Sequence, residues 1–88
     1  MSSYEKLLER FLRLPTDFTW GELIRLLNKN GYYQYNKGKT SGSRVVFEKD
    51  DSDISLNLHK PHPNNTLKPY QMKDVLEFFI RIGVVNNK

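Results

Sequence analysis

Arg44-Val45-Val46-Phe47-Glu48, then Lys49-Asp50-Asp51-Ser52-Asp53, then Ile54-Ser55-Leu56-Asn57-Leu58-His59: these sixteen residues decide the fold. The first group is rich in β-branched and aromatic residues, which suit a pleated, half-buried surface. The second is a polar turn, and the third alternates apolar and polar residues. Successive side chains of a strand point to opposite faces, so Ile54, Leu56 and Leu58 share one side and Ser55, Asn57 and His59 the other. The stretch reads as an antiparallel hairpin with one buried and one wet face. His59 is expected to end the row that points away from the core.

Upstream, Tyr32-Tyr33-Gln34-Tyr35 reads as a further strand, and Lys37 to Ser43 (KGKTSGS) as a Gly/Ser-rich basic turn. Before Gly31 the apolar period is helical. Trp20, Leu23, Ile24 and Leu27 form one stripe. Thr19 and Glu22 are spaced as a capping box, Phe18 as a staple onto Leu23, and Gly31 as the left-handed residue past the helix end. Tyr4, Leu7, Leu8, Phe11 and Leu12 predict an earlier helix, stopped by Pro15 because the residue before proline is pushed out of the α region. Downstream, Lys60 to Thr66 holds two prolines and two asparagines and is predicted to be a loop. A last helix is predicted from about Pro69, with Met72, Val75, Leu76, Phe79 and Ile80 as its stripe, widened by Phe78 and Ile82 and ended by Gly83. The expected fold is α+β, order α-α-β-β-β-α, a two-layer sandwich with a three-stranded antiparallel sheet and helices packed on one face.

A chain of 88 residues has room for one domain, 1–88, and excludes a large multi-layer enzyme. The absence of cysteine removes disulfide frameworks, thiol catalysis, zinc fingers and iron–sulfur sites. No apolar run is long enough to span a bilayer, and Met1-Ser2-Ser3-Tyr4-Glu5-Lys6 lacks the layout of a signal peptide, so the expected location is cytoplasmic and no membrane partner is expected. The formal charge of +4 is unevenly placed. Asn28 to Phe47 carries Lys29, Lys37, Lys39 and Arg44 without an acid, and Ile54 to Lys73 carries Lys60, Lys68, Lys73, His59 and His62 without one. If these segments meet they form a positive patch suited to a polyanion; the plainer alternative is a solvated face.

Thr19-Trp20-Gly21-Glu22-Leu23-Ile24-Arg25-Leu26-Leu27 with Gly31, then Gly42-Ser43-Arg44, then His59-Lys60-Pro61-His62-Pro63, then Leu67-Lys68 opening the last helix, resemble the HicA-type toxin family. The resemblance covers roughly Trp20 to Gly83, with residues 19–83 as the core and 4–14 as a helical extension. It implies a toxin of a toxin–antitoxin module with a double-stranded-RNA-binding-domain-like (dsRBD-like) fold. It also implies metal-free mRNA cleavage without a small-molecule cofactor, and neutralisation by a HicB-like antitoxin. The family signature at the second strand is Gly-Ser-His, with cleavage credited to that histidine. Here the matching residue is Arg44, so that assignment does not carry over.

Metal-free RNA cleavage needs a base for the 2′-hydroxyl proton, an acid for the leaving oxygen and a cation near the developing phosphorane charge. Histidine suits the first two roles and arginine the third. The only histidines are His59 and His62. The expected arrangement is His59 as base, His62 as acid and Arg44 as phosphate clamp, with Ser43 nearby as a phosphate hydrogen-bonder or turn residue. The plainer readings are a surface histidine at a strand end for His59 and a loop residue for His62. A metal on His59 and His62 is set aside, since no cysteine or acid follows within ten residues. Lys37, Lys39, Lys60 and Lys68 are the remaining candidate RNA contacts, or simply solubilising charges. Tyr32, Tyr33 and Tyr35 are either base-stacking platforms or core, and Trp20 is read as core. The competing functions are a catalytically inactive RNA- or protein-binding domain of the same fold and an interaction protein that pairs through its sheet.

Overall fold

A computed structural model describes residues 3–35, 44–61 and 64–86. The elements are α1 (Ser3–Leu12), α2 (Trp20–Lys29), β1 (Tyr33–Tyr35), β2 (Arg44–Glu48), β3 (Leu56–His59) and α3 (Pro69–Arg81). The α+β class and the order α-α-β-β-β-α are those expected from the spacing of apolar residues. The strands form one antiparallel sheet in the order β1-β2-β3. Among the described residues no helix is long and apolar enough to cross a membrane.

Local chemistry explains each helix end. The Glu22 N–H donates to Thr19 Oγ1 at 3.1 Å and the Thr19 N–H donates to Glu22 Oε1 at 2.9 Å, completing the capping box of α2. At its other end Gly31 takes φ +85°. The Gly31 N–H donates to the Asn28 carbonyl and the Tyr32 N–H to the Leu27 carbonyl, a Schellman motif. That second bond consumes the Tyr32 N–H, so the ladder of β1 starts one residue later than the sequence predicts. α3 ends the same way, with Gly83 at φ +83° and the Val84 N–H on the Phe79 carbonyl. Strand β3 also starts late, at Leu56 rather than Ile54, because the Ile54 N–H is held by Ser52 Oγ at 3.1 Å. After α1, Leu14 answers Pro15 by crossing to φ +51°, which costs an L-residue with a Cβ about 1–2 kcal/mol.

The core lies between the sheet and the helices. Phe47, Leu56 and Leu58 supply the sheet side, and Trp20, Leu23, Leu26, Leu27, Met72, Val75, Phe78 and Phe79 the helical side. Trp20 packs on Phe47 with ring centroids 5.7 Å apart, and Tyr32 meets Phe78 edge-on at 5.0 Å. Phe11 is fully buried and meets both Phe18 and Phe79 edge-on at 5.3 Å. α1 therefore covers α2 on the side away from the simple stripe, which is why Leu26 is fully buried although the predicted stripe omits it.

Arg10 fastens the two helices electrostatically. Its Nε donates to Glu22 Oε2 at 3.2 Å and its Nη2 to Asp17 Oδ1 at 3.1 Å. Partial burial works against ionisation of Glu22, but the hydrogen bonds from Arg10 and Thr19 outweigh it and hold the carboxyl below its ordinary value. A lowered folded-state pKa gives stability that is present above the unfolded value and lost as pH falls through the folded one.

Two outcomes follow. Phe11→Ala should cost about 3–5 kcal/mol in denaturant unfolding, whereas Leu12→Ala, at an exposed site, should stay within about 0.5 kcal/mol. Glu22→Gln should flatten the loss of stability on the acid limb of a pH series; an unchanged acid limb would show that the carboxylate is not what titrates.

Candidate functional site

The β2–β3 register pairs Arg44 with His59, Val45 with Leu58, Val46 with Asn57 and Phe47 with Leu56. Phe47, Leu56 and Leu58 face the core, so alternation sends Arg44, Val46, Asn57 and His59 to the other face. Arg44 and His59 are thus direct cross-strand neighbours, with Cβ atoms about 5 Å apart in such pairs. Both are exposed, and among the described residues neither side chain is engaged in a hydrogen bond or ion pair. β1 adds to the same face: Tyr33 pairs with Glu48 and Tyr35 with Val46, and these tyrosines are 58% and 49% exposed. Tyr32, by contrast, is core, its hydroxyl donating to Ser52 Oγ at 2.9 Å. Of the three tyrosines, two are therefore exposed and one is buried.

The other predicted residues divide by position. Lys60 follows β3 directly and is exposed, and Lys68 is the exposed N-cap residue of α3. Lys37, Lys39, Ser43 and His62 lie outside the described residues. Pro61, next to Lys60, is buried and anchors the chain where it leaves the sheet.

One residue that holds this region together was missing from the sequence reading. Gln71 is 2% exposed, the only buried polar side chain among the described residues. Its Nε2 donates to the His59 carbonyl at 2.8 Å, and its Oε1 accepts from the Lys68 N–H at 3.0 Å. One amide therefore ties the end of β3 to the start of α3, and with it the backbone that carries His59 to the backbone that carries Lys68. The signal was present: glutamine three residues after the N-cap is the reciprocal partner of a capping box. A second clamp acts nearby, where Thr19 and Thr66 form an antiparallel bridge. The Trp20 N–H donates to the Asn65 carbonyl and the Leu67 N–H to the Phe18 carbonyl, both at 2.8 Å.

In chemical terms the face offers an imidazole beside a guanidinium at the sheet end and two exposed phenol rings farther along, while Lys60 follows β3 directly and Lys68 stands at the start of α3. A family model described as "HicA toxin of bacterial toxin-antitoxin" matches residues 20–78, which takes in Arg44, His59, Lys60, Lys68 and Gln71 and leaves α1 outside. No curated protein and no solved structure matches the chain.

Replacing Gln71 by Leu keeps the volume but leaves the His59 carbonyl and the Lys68 N–H without their partner. The unfolding free energy should fall by about 1–3 kcal/mol, and hydrogen exchange at the Lys68 amide should quicken. Unaltered exchange there would mean that the bridge does not restrain the helix start.

Proposed function

The chain belongs to the HicA toxin family, and so is a toxin of a toxin–antitoxin module with an antitoxin as partner; from that premise we propose that it is a metal-independent mRNA endoribonuclease neutralised by a HicB-like antitoxin. The cross-strand pairing of Arg44 with His59 on the exposed face is the observation that supports this most. His59 takes the proton from a ribose 2′-hydroxyl, and the freed oxygen attacks the adjacent phosphorus. The 5′-oxygen of the next nucleotide leaves with a proton, which His62 supplies. The products are a 2′,3′-cyclic phosphate and a 5′-hydroxyl. Arg44 stabilises the extra negative charge on the phosphorane, a role that matters most in the transition state. Lys37, Lys39, Ser43, Lys60 and Lys68 hold neighbouring phosphates, and the work takes place in the cytoplasm, where mRNA is found.

A second reading has its own support. Arg44 stands where the family signature has histidine, and an arginine cannot serve as a proton acceptor near neutral pH. On that reading the chain binds RNA, or a protein, through the same face without cutting.

The discriminating measurement incubates labelled RNA with purified protein in EDTA. The nuclease reading expects the wild type to cut, His59→Ala to lose activity by about 100-fold or more, and Arg44→Ala to lose a comparable factor. RNA that is retained on the wild-type protein but stays intact would favour the binder, and cleavage unaffected by His59→Ala would remove that histidine from the chemistry.

A further inference from the structure

The sequence shows acids and bases interleaved along the first two helices, with no net patch, but folding separates them. α1 and α2 pack as an antiparallel hairpin, with Arg10 meeting Glu22 near one end and Asn30 Nδ2 donating to Tyr4 Oη at 3.1 Å near the other. Along the hairpin runs a groove of about 590 Å³. Its charged lining residues are Lys6, Arg10, Arg25 and Lys29, with no acid, and Tyr33 of β1 stands at its edge. Leu7 also lines it, and Glu5 and Glu9 lie two positions either side of Leu7, about 200° around the helix and away from the groove. Arg10 is already neutralised by Asp17 and Glu22. Lys6, Arg25 and Lys29 are exposed and form no ion pair among the described residues. On the other side of Tyr33 a second depression carries Glu48, Asp50 and Asp51 against Lys49 alone, so a polyanion that reaches Tyr33 is drawn to the helical side.

We infer that the α1–α2 groove is a second contact for single-stranded RNA, with phosphates on Lys6, Arg25 and Lys29 and a base stacked on Tyr33. The inference rests on the reading of RNA as partner and extends it from the sheet face of Arg44 and His59, past Tyr33, to the helical surface beyond. A cationic groove beside an exposed aromatic ring is the combination with which proteins hold single strands without reading their sequence. Each ten-residue helix is about 15 Å long, enough for a few nucleotides. An acidic peptide would satisfy the charges but has no use for the phenol ring. α1 supplies Lys6 and lies outside the residues matched by the family model, so the groove is an addition of this chain to the matched core. It acts on affinity and leaves the bond-breaking step to the sheet face.

The test is fluorescence anisotropy of a short labelled oligouridylate across a salt series, with an oligoglutamate peptide as a second probe. Lys6→Ala/Arg25→Ala/Lys29→Ala should bind oligouridylate roughly tenfold or more weakly at moderate salt, with the slope of log affinity against log salt reduced by about 2. The charge-keeping triple Lys6→Arg/Arg25→Lys/Lys29→Arg should bind as the wild type does, which separates charge from folding. Tyr33→Leu should weaken binding with an unchanged salt slope. Oligouridylate affinity that drops only in Arg44→Ala/His59→Ala leaves RNA as partner and overturns the groove. Oligoglutamate bound as well as RNA, with Tyr33→Leu silent, overturns it in favour of an acidic protein segment. A wild type that binds no RNA removes both the groove and the RNA reading beneath it.

Discussion

A slip of β3 by one residue against β2 would drive His59 into the apolar layer, away from Arg44, and turn Leu56 and Leu58 out into water. Everything functional on this sheet depends on that register, and the register depends on burial. Phe47, Leu56 and Leu58 are each almost wholly removed from solvent, and the transfer of one such side chain is worth about 1.5–3 kcal/mol. The hairpin turn adds a second constraint, because Ser52 receives both the Ile54 N–H and the Tyr32 hydroxyl and so joins the turn to the residue just before β1. The polar pair is held in place by apolar neighbours that take no part in chemistry.

The strand alternation that fixes this arrangement was legible before any coordinates. Ile54 to His59 has period two, so the solvent side of His59 followed, and the meander made Arg44 its neighbour. The capping box at Thr19 and Glu22 and the left-handed Gly31 were equally plain, since both are local and written in a few adjacent residues. What escaped was non-local. Leu26 is buried because another helix covers it, and no single-helix stripe carries that information. Tyr32 is core while Tyr33 and Tyr35 are not, a division set by where the Schellman bond to Leu27 ends and the ladder begins. Gln71 is buried only because β3 and α3 come together over it, and no helical period carries that information.

The family match and the geometry bear on different questions. The match makes the chain a toxin of its module. The geometry concerns how such a toxin could act when the signature histidine is an arginine. In the proposed mechanism the imidazole one strand away supplies the base on the same face, and the guanidinium offsets phosphate charge.

The seat of Phe11 has a bearing on how the domain is to be handled. Its ring lies against Phe18 and Phe79, and Phe79 sits near the end of α3, just past the last residue matched by the family model. A protein trimmed to the matched stretch would lose Phe11, Phe18 and Phe79 together and bare Phe78, which packs on Phe79, inviting self-association easily mistaken for a native oligomer. The opening helix closes the apolar layer as well as lining the groove, and the folding unit is larger than the matched stretch.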